Sequence, residues 1–420
     1  MQDPKMFATY AFPTSITYGA GCVALVGHAA RSAGLLRPLI VTDRGLAPLP
    51  PCLSLQRVLA EAGLEVATFS EVWGNPVASQ VAAGAQAFAA HAADSIIAIG
   101  GGAALDVAKA MAVLVHHTGD ILDYDAFAAE PLPIDREVPP IFALPTTAGT
   151  GSEVGRSAVI SCDRSHAKKV IYSPKLLAQR VFLDPELTVG LPAAVTAATG
   201  MDALTHCVES YLAKAFHPMC DGIALEGLRL CGLYLPAAVK FAEGMASGAD
   251  VTRDADHLHA RGMMLNAAMM GAVAFQKDLG VIHSCAHALS TVSDLHHGLA
   301  NAIMLPAGLR FNASVASERM AIMAQVVGAE DASADGFIRW VEALRATIGL
   351  PSTLAAVGVK HSALDRLVEV ALADACHTFN PRPVSAADFR AIFVDAGLGD
   401  AEAPKPKAEP SAQESVQGSE

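Results

Sequence analysis

Four of the chain's fifteen histidines fall within fifteen residues: His283, His287, His296 and His297. His283 and His287 are spaced i, i+4, which puts both rings on one face of a helix, one turn apart. Their neighbours are apolar, Leu279-Gly-Val-Ile ahead and Ala-Leu behind, so a solvated histidine face does not account for them. Upstream, Gly200-Met-Asp202-Ala-Leu-Thr-His206 repeats the i, i+4 spacing with a carboxylate and an imidazole. Alone, an Asp-x-x-x-His pair is more often a surface ion pair. Taken together, one aspartate and three histidines make a mixed oxygen and nitrogen set suited to a divalent first-row metal such as Fe2+ or Zn2+. Core histidines satisfied by backbone are the competing reading.

Two loops have the chemistry to hold a nucleotide. Gly100-Gly101-Gly102-Ala-Ala-Leu-Asp106-Val-Ala-Lys109 follows an apolar strand and opens a helix. Glycines there let the backbone approach a ligand, and free amides at a helix start favour phosphate. A tight strand-to-helix turn without a ligand is the alternative. Leu144-Pro-Thr-Thr-Ala-Gly-Thr-Gly-Ser-Glu153 places hydroxyls and exposed amides at the carboxyl end of another strand. Open α/β sheets bind ligands at that end of their strands.

The elements that must position these groups fall into two halves. Short unbroken apolar runs at 37–43, 94–99, 140–144 and 181–183 read as parallel strands covered on both faces. Ala-rich helical patterns lie between them, at 79–93 and 105–116. Alternating strand and helix predicts an α/β domain over residues 1–190 with a parallel sheet. Past Pro192 the strand-like runs stop. Apolar segments at 193–213, 218–242, 254–275, 283–293 and 317–328, with more to about 396, predict an all-helical domain over 191–398. Pro192 and Pro218 sit where helices would begin. The Pro/Ser/Glu/Gln/Lys-rich stretch at 399–420 predicts a disordered tail.

Composition narrows the function classes. The net charge of −13 argues against a nucleic-acid or anionic-membrane surface. The apolar fraction of 52% raises the question of a membrane span, but the run from Ile96 to Val115 opens on glycines and contains Asp106 and Lys109. The N-terminus lacks a basic start followed by an apolar core, so no signal peptide is expected. Eight scattered cysteines, none in C-x-x-C, predict reduced thiols in a cytoplasmic protein.

These motifs, in this order and spacing, resemble the iron-containing (group III) alcohol dehydrogenases from about Phe12 to Leu398. The resemblance implies a dehydroquinate synthase-like fold: an N-terminal dinucleotide-binding α/β domain, a C-terminal helical domain and an active site in the cleft between them. It implies metal ligation by Asp202, His206, His283 and His297, with His297 chosen because it precedes Gly298. His287 takes a proton-relay role, and Cys376 lines the pocket near the nicotinamide. Asp43, Asn75, Gly101, Gly102, Thr146, Thr147, Thr150 and Lys168 match cofactor-contacting positions, and a carboxylate at Asp43 favours NAD over NADP. The implied activity is hydride transfer between a small primary alcohol, diol or hydroxy acid and nicotinamide, with Fe2+ (or Zn2+) as Lewis acid. A homodimer or larger oligomer is implied as well. Alternatives on the same scaffold are a 4-hydroxybutyrate- or maleylacetate-type reductase and, less favoured, a dehydroquinate synthase-like lyase. Departures from the family pattern include Ala103 for serine, Ala288 for proline, and the shortened Phe275-Gln-Lys-Asp-Leu-Gly280 segment. Lys277 or Arg156 is thereby a candidate for meeting an acidic substrate, against the plainer reading of surface charges.

Overall fold

A computed structural model describes residues 10–12, 14–165, 167–252 and 254–399. The expected tail over 400–420 lies outside the described residues. Strands β1 (Ser15–Tyr18), β2 (Pro38–Val41), β3 (Ala67–Phe69), β4 (Ser95–Gly100) and β5 (Ile141–Pro145) are joined through helices α1 (Val26–Ser32), α2 (Pro50–Glu61), α3 (Ala78–His91) and α4 (Gly102–His116). After a hairpin of β6 (Ser157–Ser161) and β7 (Lys168–Tyr172), strand β8 (Arg180–Leu183) completes the sheet. The six-stranded order is β1-β8-β5-β4-β2-β3, parallel throughout.

The apolar runs explain this layering. Every residue of β2, β4 and β5 is buried. Successive side chains point to opposite faces. Ile40, Ile97, Ile99, Phe142 and Leu144 pack with α1 and α2, whereas Leu39, Ile96, Ala98, Ile141 and Ala143 pack with α3 and α4. From β2 the chain moves outward to β3, then returns across β2 to β4 and on to β5. The winding therefore reverses between β2 and β4, and the crevice beyond their carboxyl ends is the natural ligand position of such a sheet.

The hairpin is a departure from the expected strand list. β6 and β7 pair antiparallel, apart from the main sheet. Asp106 of α4 secures β6 by accepting the Val159 amide at 3.0 Å. Strands β1 and β3, four and three residues long, also add to the expected strands.

The remaining elements are helical: α5 (Ala193–Leu212), α6 (Pro218–Ala246), α7 (Ala255–Ala274), α8 (Val281–Ser293), α9 (His297–Val326), α10 (Ala334–Thr347), α11 (Leu364–Ala373) and α12 (Ala386–Asp395). Pro192 precedes α5 and Pro218 is the first residue of α6. The helix expected at 317–328 instead begins at His297 and runs 30 residues, with Pro306 buried inside it. Nearly every residue from Ala300 to Leu309 is buried, so that stretch lacks the one-sided pattern that marks a surface helix. By length and composition α6 could cross a membrane, with a mean hydropathy of 1.3. It is packed on α5 and α7, burying Cys220, Ala224, Leu228, Cys231 and Leu235 in the common helical core.

Candidate active site

The four residues read as a donor set converge. Asp202 and His206 lie one turn apart on α5, His283 on α8, and His297 opens α9. The three Nε2 atoms surround one carboxylate oxygen, Asp202 Oδ1, at 4.0 Å (His206), 3.8 Å (His283) and 3.4 Å (His297). The His206 and His283 rings stack at 4.7 Å, and Phe275 closes the outer face of His206 at 5.1 Å. Burial pushes the His206 imidazole down to about 4, against the pull of Asp202. Desolvation, the Lys168 ammonium and the neighbouring imidazoles hold His297 well below its ordinary value. Neutral imidazole is the form that ligates a metal.

Two residues outside the expected set complete the cluster. Glu209, one turn beyond His206, accepts the His283 Nδ1–H at 2.6 Å and the amides of Ile282 at 2.7 Å and His283 at 3.1 Å. That bond fixes the His283 tautomer with its Nε2 lone pair facing Asp202. Asn301, one turn after His297, donates its amide to Asp202 Oδ1 at 2.7 Å and lies 3.2 Å from Nε2 of both His283 and His297. A buried amide thus sits amid three acceptors, while Asn301 Oδ1, His206 Nδ1 and His297 Nδ1 have no hydrogen-bond partner among the described residues. So many acceptor lone pairs directed at one buried point fit a divalent first-row cation, and the oxygen and nitrogen mix fits iron or zinc.

His287 stands beside this cluster, stacked on His297 at 5.2 Å. Its Nδ1 pairs with Asp374 Oδ2 at 2.8 Å. Asp374 also accepts the Ser284 hydroxyl at 2.7 Å and the Cys376 amide at 2.9 Å. Burial alone would raise the Asp374 carboxyl, but His287 and these hydrogen bonds outweigh it and hold it well below the carboxylate range. Burial and the adjacent Asp374 push the Cys376 thiol well up. Cys376 therefore stays protonated, which suits a pocket wall and not a nucleophile.

The two loops meet at the sheet's carboxyl edge. The Thr146 amide donates to the Gly100 carbonyl at 3.0 Å. A Cβ on Gly102 would come within 2.7 Å of the Thr150 methyl, so glycine lets the two loops approach there, whereas one on Gly101 would meet the Thr147 methyl at an ordinary contact distance of 3.4 Å. Asp43 follows β2, and its Oδ1 accepts the amides of Gly45 and Leu46. A cavity of about 310 Å³ opens there, between Asp43, Arg44, Trp73, Gly74 and Gly101, at the winding reversal. Asn75 lies exposed beside it. Lys168, on β7, reaches toward the helical half: burial lowers its ammonium, while the carboxylates of Asp374, Asp202 and Asp106 oppose that.

The iron-containing alcohol dehydrogenase family model matches residues 13–185, and the C-terminal model of the Fe-containing alcohol dehydrogenase family matches 196–397. The chain belongs to the iron-containing alcohol dehydrogenase family. It is an oxidoreductase of that family. It is 38% identical over 389 residues to a 4-hydroxybutyrate dehydrogenase of Cupriavidus necator, covering 90% of this chain and 97% of that one. The solved structure of a 1,3-propanediol oxidoreductase is similar at 34% identity and a TM-score of 0.86, covering 93% of this chain and all of that one. A sulfoacetaldehyde reductase from Bifidobacterium kashiwanohense, solved in complex with NAD+, is 27% identical with a TM-score of 0.81, over 94% of this chain and all of that one.

Within this alcohol dehydrogenase scaffold, the charged departures fall in different places. Lys277 is 1% exposed, and its ammonium is tied to Asp221 at 2.5 Å and to the Tyr211 carbonyl at 3.3 Å. Arg319 meets the other Asp221 oxygen at 2.9 Å. Lys277 is thus a structural cation, not a substrate-binding one. Arg156 is half-buried and carries no side-chain hydrogen bond or ion pair among the described residues. Sequence reasoning missed Glu209, Asn301 and Asp374. The first two carried a signal: each lies on the ligand face of its helix, three or four residues from a histidine.

Proposed function

We propose that this enzyme is a metal-dependent, NAD-linked alcohol dehydrogenase and aldehyde reductase acting on small primary alcohols, diols or hydroxy acids. The observation that carries the reading is the convergence of three imidazole Nε2 atoms on one buried Asp202 oxygen. Asp202, His206, His283 and His297 hold the metal, with Fe2+ favoured by family and Zn2+ compatible with the donors. Residues 1–190 carry NAD and 191–398 carry the metal. When both are bound, the metal supplies Lewis-acid polarisation of the substrate oxygen and the nicotinamide supplies or takes the hydride.

The chain's own groups do the rest. Gly101 and Gly102 open α4 with unshielded amides for the pyrophosphate, and Asp43 accepts from the ribose hydroxyls. Thr146, Thr147 and Thr150 line the adjoining loop, and Lys168 directs its ammonium toward the cleft. His287 takes the alcohol proton, and Asp374 orients its ring and stabilises the imidazolium that forms. Glu209 does the same orienting work for His283.

A hydroxy-acid substrate is the second reading, favoured by the 38% identity to a 4-hydroxybutyrate dehydrogenase. A homodimer or larger assembly and a cytoplasmic setting belong to the same proposal, and the eight free cysteines support the latter. The test is NAD+ reduction at 340 nm across C2–C6 alcohols, diols and hydroxy acids with Fe2+-loaded protein. Turnover of at least one such substrate is expected. Absence of turnover across the whole panel, in both directions, would contradict the reading.

A further inference from the structure

We propose that Trp73 and Arg44 form the wall on which the adenine ring of the cofactor stacks. The inference rests on the NAD reading above and assigns two residues to it that no motif marks. Trp73 is 51% exposed yet has a fixed setting. Its carbonyl accepts the Gln80 side chain at 2.9 Å, and Gln80 is buried. The Arg44 guanidinium lies over the indole at 4.0 Å. The Arg44 amide is tied to the Val72 carbonyl at 2.9 Å, so the two planar groups are held on adjacent, hydrogen-bonded segments after β2 and β3. Both line the 310 Å³ cavity, together with Gly101, Ala103 and Ala104.

The cavity lining offers a group for each part of the adenosine end of a dinucleotide. The α4 start at Gly101 and Gly102 suits the pyrophosphate. Asp43 comes next; its Oδ1 is committed to the Gly45 and Leu46 amides, which leaves Oδ2 for a ribose hydroxyl. Arg44 follows Asp43 in the chain, and the indole–guanidinium pair lines the same cavity. A flat, electron-rich indole carrying a cation suits a purine, which gains from both stacking and cation–π contact. Covering half-exposed indole also removes apolar surface from water. Arg44 also pairs with Glu71 at 3.9 Å, where both side chains are exposed.

The chain has two tryptophans, which makes the proposal directly readable. Trp340 stacks on Phe337 in the helical half at 5.9 Å, away from the cavity. In a Trp340→Phe background of the full metal-loaded enzyme, Trp73 is the sole tryptophan and its emission can be excited selectively over tyrosine. Titration with NADH is expected to quench it and sensitise nicotinamide emission. ADP-ribose, which has no nicotinamide, is expected to quench it by contact. Trp73→Ala should weaken ADP-ribose binding roughly tenfold. It should raise KM for NAD+ by a similar factor with kcat little changed, and Trp73→Phe should restore most of the loss. Wild-type NADH binding with no change in Trp73 emission, or ADP-ribose affinity unaltered in Trp73→Ala, would overturn the proposal. Failure of the wild-type enzyme to bind NADH at all would instead overturn the cofactor reading beneath it. The fluorescence arm leaves Trp73 intact, so it decides the matter even if Trp73→Ala does not fold.

Discussion

Replacing Glu209 with glutamine removes one charge and changes no volume, which makes it a sharp probe of how the site is held. Glu209 is 3% exposed and accepts three bonds, from the Ile282 amide, the His283 amide and His283 Nδ1. A glutamine amide has one acceptor oxygen where the carboxylate has two. At least one donor at the start of α8 then faces an NH2 group. Hydrogen bonds to a charged acceptor contribute about 1.5–3 kcal/mol, and a stranded buried donor costs about 1–3 kcal/mol. A loss of about 2–4 kcal/mol in the metal-free protein follows, and at about 2.1 cal/mol/K per residue this is a melting shift of roughly 2–5 °C. The freed His283 ring no longer presents Nε2 reliably, and loss of such a supporting carboxylate typically costs 10–100-fold in metal affinity, about 1.4–2.7 kcal/mol. Chelator-competition titration measures the affinity, and calorimetry of stripped protein measures the melting shift. If Glu209→Gln binds Fe2+ or Zn2+ as tightly as wild type and melts at the same temperature, the assignment of Glu209 as the group that fixes His283 is wrong.

Three other perturbations follow. Gly298→Ala should push α9 away from α5, because a Cβ there would lie 2.2 Å from the Ala198 carbonyl oxygen; a loss of about 1–3 kcal/mol by calorimetry and weakened metal binding are expected. Lys277→Ala should lower the melting temperature by removing a buried partner of Asp221, while leaving the ratio of kcat/KM for hydroxy acids and neutral alcohols unchanged in steady-state assays. Glu153 is buried, and desolvation raises its carboxyl from 4.5 to about 7 against the pull of Lys109. Its folded pKa lies above its unfolded one, so the folded state holds the proton longer and stability falls as pH rises from about 4.5 to 7, by on the order of 3 kcal/mol. Glu153→Gln should therefore gain on wild type in melting scans as pH is raised from 5 to 8, and a constant difference would contradict this.

The sequence made the metal-directed face legible because helices encode proximity in local spacing. Asp202 and His206 share a turn, as do His283 and His287, and the structure brings both helices together with His297. Asp374 was not legible, since it meets His287 through a loop after α11 that carries no periodicity linking the two. Buried strands β2, β4, β5 and β8 stood out as unbroken apolar runs. β6 and β7 did not, because the pattern of SAVIS and KKVIY follows one half-covered hairpin. Lys277 shows the limit of reading charge from sequence: it lies next to the Phe275 segment that borders His206, yet its ammonium turns away to Asp221. Helix α9 was half missed because a segment buried all round has no polar face to give the period away.

Metal content and turnover measured on the same preparation test the central claim most directly. Protein stripped by chelation and verified metal-free should show no NAD+ reduction with a primary alcohol, and one equivalent of Fe2+ per chain should restore it, with His206→Ala neither binding the metal nor turning over. Full turnover by verified metal-free protein would contradict the account.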